Sequence, residues 1–304
     1  MPRDGAGPAA GTRPAADVMD KLLVVTADDF GLDESVNEAV EQATRAGTLT
    51  AASLMVAAPA AANAVKRARA LPQLHVGLHL TLADGRARLP PREIPRLVDA
   101  DGRFGDRLAF DGLRYYALPA VRRQLEAEIR AQFAAFARTG LTLDHVNAHK
   151  HLHLHPTVLG LVLEIGAEYG LTAVRLPAEP LWYARRVSTS AWLGALGLAP
   201  WLALMKHRLD CAHVAHNDRV FGIATSGSMD EARLLEILSR LPPGATEIYL
   251  HPATRSGAAI APSMRGYRHA EELAALLSTR VREALASTGA QRGGFRHLAA
   301  RHPR

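Results

Sequence analysis

Apolar positions along the chain fall into short runs and helical stripes that alternate over most of its length. Residues 22–26 (LLVVT) form a β-branched apolar run after a charged residue and read as a buried strand. The run ends in Ala27-Asp28-Asp29-Phe30-Gly31, and Asp33 then opens a helix predicted over 34–46 and closed by Gly47. A second strand is expected at 52–56, a helix at 63–70 with Lys66, Arg67 and Arg69 on its wet side, and a third strand at 74–82, where LHVGLHLTL alternates. Residues 83–119 are rich in Pro, Gly and Asp and lack periodicity, so they read as a long functional loop or insertion. Val121, Leu125, Ile129, Phe133 and Phe136 then mark one face of a long helix that ends near Gly140. Further strands are expected at 141–146, 173–176 and 248–250, and helices at 157–169 and 270–285.

Strand, polar residue at the carboxyl end, then helix is the rhythm of a parallel α/β fold. A TIM-type barrel or a distorted form of it is the first expectation. A doubly wound open sheet is the alternative, which periodicity does not separate. The 304 residues suit one such domain. Its predicted organisation is a flexible tail at 1–20, one catalytic domain over 21–290 with insertions near 83–119 and 181–210, and a basic tail at 291–304. The first twenty residues lack the apolar stretch of a secretory signal.

Composition narrows the classes. Hydrophobic residues at 48% and charged residues at 22% are ordinary for a globular domain. The net charge of +6 comes from scattered Arg, without the basic runs and interleaved aromatics that would argue for nucleic acid. The single cysteine, Cys211, cannot form an internal disulfide, and a reducing compartment fits. The longest near-apolar stretch, 191–205, carries Pro200 and is too short to be expected to span a membrane.

Four clusters could carry chemistry. Asp28 and Asp29 are adjacent carboxylates at a strand end. Their repulsion calls for a cation, with one carboxylate as ligand and the other as base, although a turn or helix cap would also use Asp. His79 lies in an apolar alternation with His75 on the same side, a place where a hydrogen-bonded core histidine is the alternative to a ligand. His149, His151, His153 and His155 occupy alternate positions and would face one way if the segment were extended. Not all four can bind one ion, so some would hold ligands in place or touch substrate. His251 ends the apolar strand at 248–250 and could serve as an acid. One carboxylate and two imidazoles would suit a divalent ion: Zn, Mg, Fe, Co, Mn or Ni. Neither a Gly-x-Ser-x-Gly elbow nor a nucleotide-binding glycine loop is present.

At these residues the chain resembles the YdjC (ChbG) family of carbohydrate deacetylases. The matching pieces are ThrAlaAspAspPheGly at 26–31, GlyLeuHisLeu at 77–80, the run His149-Lys150-His151-Leu152-His153, and His251-Pro252, in the family's order over roughly residues 21 to 255. The resemblance implies a YdjC-like distorted TIM-type barrel and removal of acetate from N-acetylglucosamine units. It implies Asp29, His79 and His149 as metal ligands and Asp28 as the general base. His251 would be an acid near the leaving amine, and Arg175 would steady Asp28 or substrate. Asn147, His151 and His153 are candidates for supporting the ligands or contacting substrate. Many relatives carry Asp-Ser where this chain has Asn147-Ala148, and Asn supplies no charge there.

Within the family the chain is most similar to the hopanoid-biosynthesis-associated branch (HpnK), through residues 147–156 and 217–222. The implied substrate is an N-acetylglucosaminyl hopanoid, N-acetylglucosaminyl bacteriohopanetetrol, converted to the glucosaminyl form. The matching place is the cytoplasm, with a peripheral contact at the inner membrane face. Residues 181–206 carry all three tryptophans among apolar residues with cations at the edges, which fits a lipid interface or an ordinary core helix pair. A soluble chito-oligosaccharide deacetylase and a non-catalytic metal- or glycolipid-binding protein are the alternatives. The oligomeric state is left open.

Overall fold

The structure is a computed structural model that describes residues 21–255 and 260–301. The tail expected at 1–20 lies outside the described residues. Seven strands are present among them: β1 (Lys21–Phe30), β2 (Ala51–Leu54), β3 (His75–Leu80), β4 (Val146–Ala148), β5 (Arg219–Phe221), β6 (Gly244–Leu250) and β7 (Gln291–Arg292). All pair in parallel in the order β4-β3-β2-β1-β6-β5, with β7 beside the start of β1.

The sheet curls, and the space between β4 and β5 is spanned irregularly. Val146 bridges Val174 and Ala173 bridges Ala215. The Asn217 side chain accepts from Leu176 N and donates to Leu176 O, both at 2.8 Å. The Val220 amide donates to the Ala178 carbonyl. The fold is therefore a distorted barrel and not an open doubly wound sheet. Helices between successive strands cover its outside, from Glu34–Arg45 onward. The first of these is capped by Asp33, which accepts from Ser35 N.

Side-chain alternation explains how one barrel holds both a core and a site. Along β1, Leu23, Val25 and Ala27 join the large core under the helices, whereas Leu22 and Val24 join a small cluster with Ala51, Ala173, Ala245, Phe295 and Leu298. Successive strand residues point to opposite faces, so this second cluster fills the barrel interior at the amino ends of the strands. Further along, the inward rows turn polar: Asp28, Ser53, His79, Asn147, Arg175 and Glu247, all buried. An apolar plug thus supports a polar upper layer at the carboxyl ends. Gly77 belongs to the same inward rows, and a Cβ there would sit 2.4 Å from the His145 ring. Glycine at 77 is what lets that imidazole lie across β3.

Several expected elements differ. Residues 83–119 contain a helix, Leu108–Ala117, and are not loop throughout. The strand expected at 141–146 begins only at Val146. Residues 173–176 make isolated bridges instead of a continuous ladder. The helix expected at 270–285 is two, His269–Leu277 and Thr279–Ser287, with Ser278 capping the second. Residues 291–301, expected as a tail, add β7 and the helix Arg296–Arg301. There the amides of Phe295 and Arg296 donate to the Asp144 carboxylate at 2.9 and 3.1 Å. Phe295 at 0% and Leu298 at 2% exposure close the bottom of the barrel.

Candidate active site

In an unbroken strand Asp28 and Asp29 would face opposite sides. The β1–β2 register shifts between Ala27 and Phe30, and Asp29 adopts φ 60°. This bulge, with its left-handed residue, turns both carboxyls into the interior. Asp29 Oδ1 lies 2.9 Å from His149 Nδ1 and 3.2 Å from His79 Nε2. Asp29 Oδ2 is buried without a hydrogen-bond partner. Ligand atoms of Asp29, His79 and His149 all fall within 4.8 Å of one another. A carboxylate with an unpartnered oxygen facing two imidazoles fits a divalent cation. Without one, burial disfavours the protonated His149 imidazole, yet Asp29 beside it lifts its pKa to about 9. A positive charge therefore belongs among these three groups.

His79 is oriented from behind. Its Nδ1 meets Asn147 Oδ1 at 2.7 Å, which leaves Nε2 directed at Asp29. Asn147 Nδ2 donates to Ser53 Oγ at 3.0 Å and to Asp28 Oδ1 at 3.2 Å. Ser53 Oγ reaches His145 Nε2 at 3.0 Å, and His145 Nδ1 reaches Asp144 Oδ2 at 2.9 Å. Asn147 thus joins a candidate ligand to the base candidate, and its amide group can donate where a carboxylate would repel Asp28. Removing the side chain in Asn147→Ala should weaken metal binding about 10–100-fold, as loss of a ligand's supporting partner typically does. Competition with a metal-sensitive chelator measures this, and unchanged affinity would remove Asn147 from that role.

Asp28 is held by Arg175, whose Nη1 and Nη2 donate to its two oxygens at 2.5 and 3.0 Å. Arg175 is fully buried, and its Nε and Nη2 donate to Glu247 at 2.8 and 2.6 Å. Its guanidinium carbon lies 4.6 Å from the centre of the Tyr249 ring. Burial alone would raise the Asp28 pKa, but Arg175 outweighs it and holds the carboxyl well below the usual range. The structure thus brings Arg175 and Asp28 into direct contact.

The histidine run does not extend. Lys150 and His151 both adopt left-handed backbone, at φ 55° and 54°, inside a tight turn over His149–Leu154. The four imidazoles accordingly diverge. His149 meets Asp29, and His151 Nε2 meets the Tyr249 hydroxyl at 3.1 Å. Burial pushes His151 down to about 3. His153 accepts from Ala148 N and faces the Arg175 carbonyl, so it braces backbone and has no ring nitrogen left for substrate. His155 packs edge-on against Tyr115, away from the cleft.

A cavity of about 130 Å³ opens over this layer. Asp28, His79, His149, His151, Tyr249 and His251 line it, with Lys150, Ile223, Ser226 and Tyr267 at its walls. His251 Nε2 is 3.8 Å from Asp29 Oδ2, and the His251 amide donates to buried Glu272 at 2.5 Å. Burial lowers the His251 imidazole to about 4 against the pull of Asp29 and Asp28.

The sequence reading missed Ser53, Glu247 and Asp84. Glu247 and Ser53 carried a signal, since each is a polar residue at an inward position of an apolar strand. Asp84, with Oδ2 at 3.8 Å from His149 Nε2 and 3.4 Å from Lys150, follows the end of β3 at φ 49°.

The chain is 31% identical over 275 residues to a carbohydrate deacetylase of Geobacillus stearothermophilus, covering 90% of this chain and 96% of that protein. It is 39% identical over 160 residues to a carbohydrate deacetylase of Brevibacillus brevis, a match that spans 53% of this chain and 59% of the relative. A crystal structure from Enterococcus faecalis V583 superposes with a TM-score of 0.70 at 24% identity, covering 92% of this chain and 99% of that one, and shares the fold. The family model of YdjC-like proteins matches residues 22–287, and the chain belongs to that family.

Proposed function

We propose that this chain is a hydrolytic carbohydrate N-deacetylase that depends on a divalent metal. One observation carries the reading: ligand atoms of Asp29, His79 and His149 gather within 4.8 Å of one another beside a buried, unpartnered Asp29 Oδ2, while Asp28, clamped by Arg175, lines the same cleft. A binding protein would need the first three but not the fourth. The similar relatives named as carbohydrate deacetylases support an N-acetylated sugar as substrate.

A divalent ion held by Asp29, His79 and His149 would polarise the acetamide carbonyl and acidify the attacking water. Asp28 takes the proton from that water as it adds to the carbonyl carbon. Arg175 keeps Asp28 ionised and fixes its direction, and Glu247 keeps Arg175 in place. His251, which lines the same cleft, would be the group that passes a proton to the departing amine. Tyr249 and His151, bonded to each other, shape the floor on which the acetyl group rests.

The finer reading is that the sugar is lipid-linked: an N-acetylglucosaminyl hopanoid, deacetylated at the cytoplasmic face of the inner membrane. Two features support it. Residues 147–156 and 217–222 are similar to the hopanoid-associated branch, HpnK, although the Asn217 side chain here serves barrel closure. Residues 181–206 are largely exposed, with Trp182 and Trp201 at 45% and 48%. A soluble chito-oligosaccharide is the second reading, favoured by a cleft of sugar size and by the relatives' names.

Acetate release from N-acetylglucosaminyl bacteriohopanetetrol and from N,N′-diacetylchitobiose, by metal-loaded protein side by side, separates the readings. Release from the hopanoid alone is the expected result. Release from chitobiose alone would keep the chemistry and discard the lipid. Release from neither, with metal binding abolished in Asp29→Ala, would leave a different acyl substrate or a binding role.

A further inference from the structure

Helices Leu181–Val187 and Thr189–Cys211 form a hairpin that is held to the body at few points. Tyr183, Ala184, Met205 and Leu209 are its buried side chains. Between them, Leu193, Leu196, Leu198, Trp201 and Leu204 are 41–55% exposed. The long helix is apolar around most of its girth, a pattern that belongs in a core or in lipid. Here it is in no core, and among the described residues no helix is long and apolar enough to cross a membrane.

Charge and position point to one partner. Residues 181–211 contain Arg185, Arg186, Lys206 and Arg208 against one carboxylate, Asp210, so they hold +3 of the +6 of the whole chain, with Lys206 paired to Asp210 and Arg186 to Glu236. The hairpin follows the segment that carries Arg175, at the carboxyl ends of the strands, where the cleft opens. Trp182 packs edge-on against Phe221, two residues before the cleft-lining Ile223. On the other flank the helix Leu108–Ala117 leaves Phe110, Leu113 and Tyr116 exposed by 49%, 65% and 75%. Both flanks meet at the start of helix Pro156–Glu168: Arg208 donates to the Pro156 carbonyl, and Tyr115 packs on His155.

We propose that this hairpin, with helix Leu108–Ala117 beside it, is a docking surface for an anionic phospholipid bilayer that seats the cleft against the membrane. The proposal rests on the membrane-associated reading above and adds the surface and the lipid charge. Leu and Trp would enter the headgroup–acyl boundary while the cations meet anionic headgroups. A second copy of the chain on this surface would set one net-positive hairpin against another.

All three tryptophans, Trp182, Trp192 and Trp201, lie in the hairpin, so intrinsic fluorescence reports this surface alone. Full-length protein is mixed with phosphatidylcholine vesicles and with vesicles of phosphatidylcholine and phosphatidylglycerol. A blue shift with co-sedimentation is expected on the anionic vesicles and should weaken at high salt. The variant Leu193→Glu/Leu196→Glu, exposed at both sites and with all three tryptophans kept, should partition about tenfold less or weaker still. Its circular dichroism and melting temperature should match the parent. Three results overturn the surface: no shift on anionic vesicles, equal binding by the double variant, or a blue shift on raising protein concentration alone, which marks a second copy. Vesicle binding without acetate release from the lipid-linked sugar keeps the surface and removes the lipid substrate. Acetate release from that sugar in detergent, without vesicle binding, does the reverse.

Discussion

Asp28→Asn should lower the turnover of acetate release about 10²–10⁴-fold, the usual size of a general-base contribution, while metal content stays at the parent level. Asn keeps the shape of the side chain and can still accept from Arg175, but it cannot take a proton from water. The fold should tolerate the change. Arg175 sits between two carboxylates, so neutralising Asp28 leaves a one-to-one pair with Glu247, already bonded at 2.8 and 2.6 Å. The proposed metal ligands are untouched, because Asp29 faces His79 and His149 independently of Arg175. Measured kcat and metal stoichiometry on the same preparation decide it. Full turnover would remove Asp28 from the base role, and lost metal would reassign it as a ligand.

Arg175→Met should act on stability more than any exposed change. It leaves Asp28 and Glu247 buried at 2% and 0% exposure with their shared cation gone. Breaking a buried pair from one side typically costs about 3–5 kcal/mol. In thermal terms this is a Tm drop on the order of 10 °C. Adding Glu247→Gln to Arg175→Met removes one of the stranded charges and should recover part of the loss. A Tm equal to the parent's in the single variant, or no recovery in the double one, would mean that the triad is not coupled in this way.

Much of this was legible in the sequence, for physical reasons that differ from element to element. Strand β1 and the end of β6 announced themselves because parallel strands buried on both faces must be apolar runs, and β3 did so through its alternation. The adjacency of Asp28 and Asp29 was informative because two carboxylates at a buried strand end need compensation. How both come to face inward was not legible, since it depends on a register shift and a left-handed residue that Asp can adopt without a glycine to mark it. The histidine run misled about direction: alternate spacing reads as extended, but Lys150 and His151 reverse the chain, and only His149 reaches Asp29. Closure of the barrel was ambiguous because it relies on single bridges and on the Asn217 side chain, neither of which leaves a periodic trace. Helix Leu108–Ala117 stayed hidden because several of its apolar residues face outward and blur the expected stripe. The C-terminal segment was taken for a tail because Phe295 and Leu298 stand alone among Arg and His, and only the open end of the barrel gives them a partner.

The row of groups behind His79 has a direction. With His145 neutral, every proton can point the same way: from His79 Nδ1 to Asn147, from the Asn147 amide to Ser53, from the Ser53 hydroxyl to His145, and from His145 Nδ1 to Asp144. Hydrogen bonds aligned head to tail polarise one another, each donor becoming a better acceptor at its other end. The negative charge of Asp144, itself anchored by the C-terminal segment, is thereby relayed as electron density toward His79 Nε2. The barrel in this way gives His79, a proposed metal ligand, the push of an anion, yet keeps that anion at the far end of the row from Asp28.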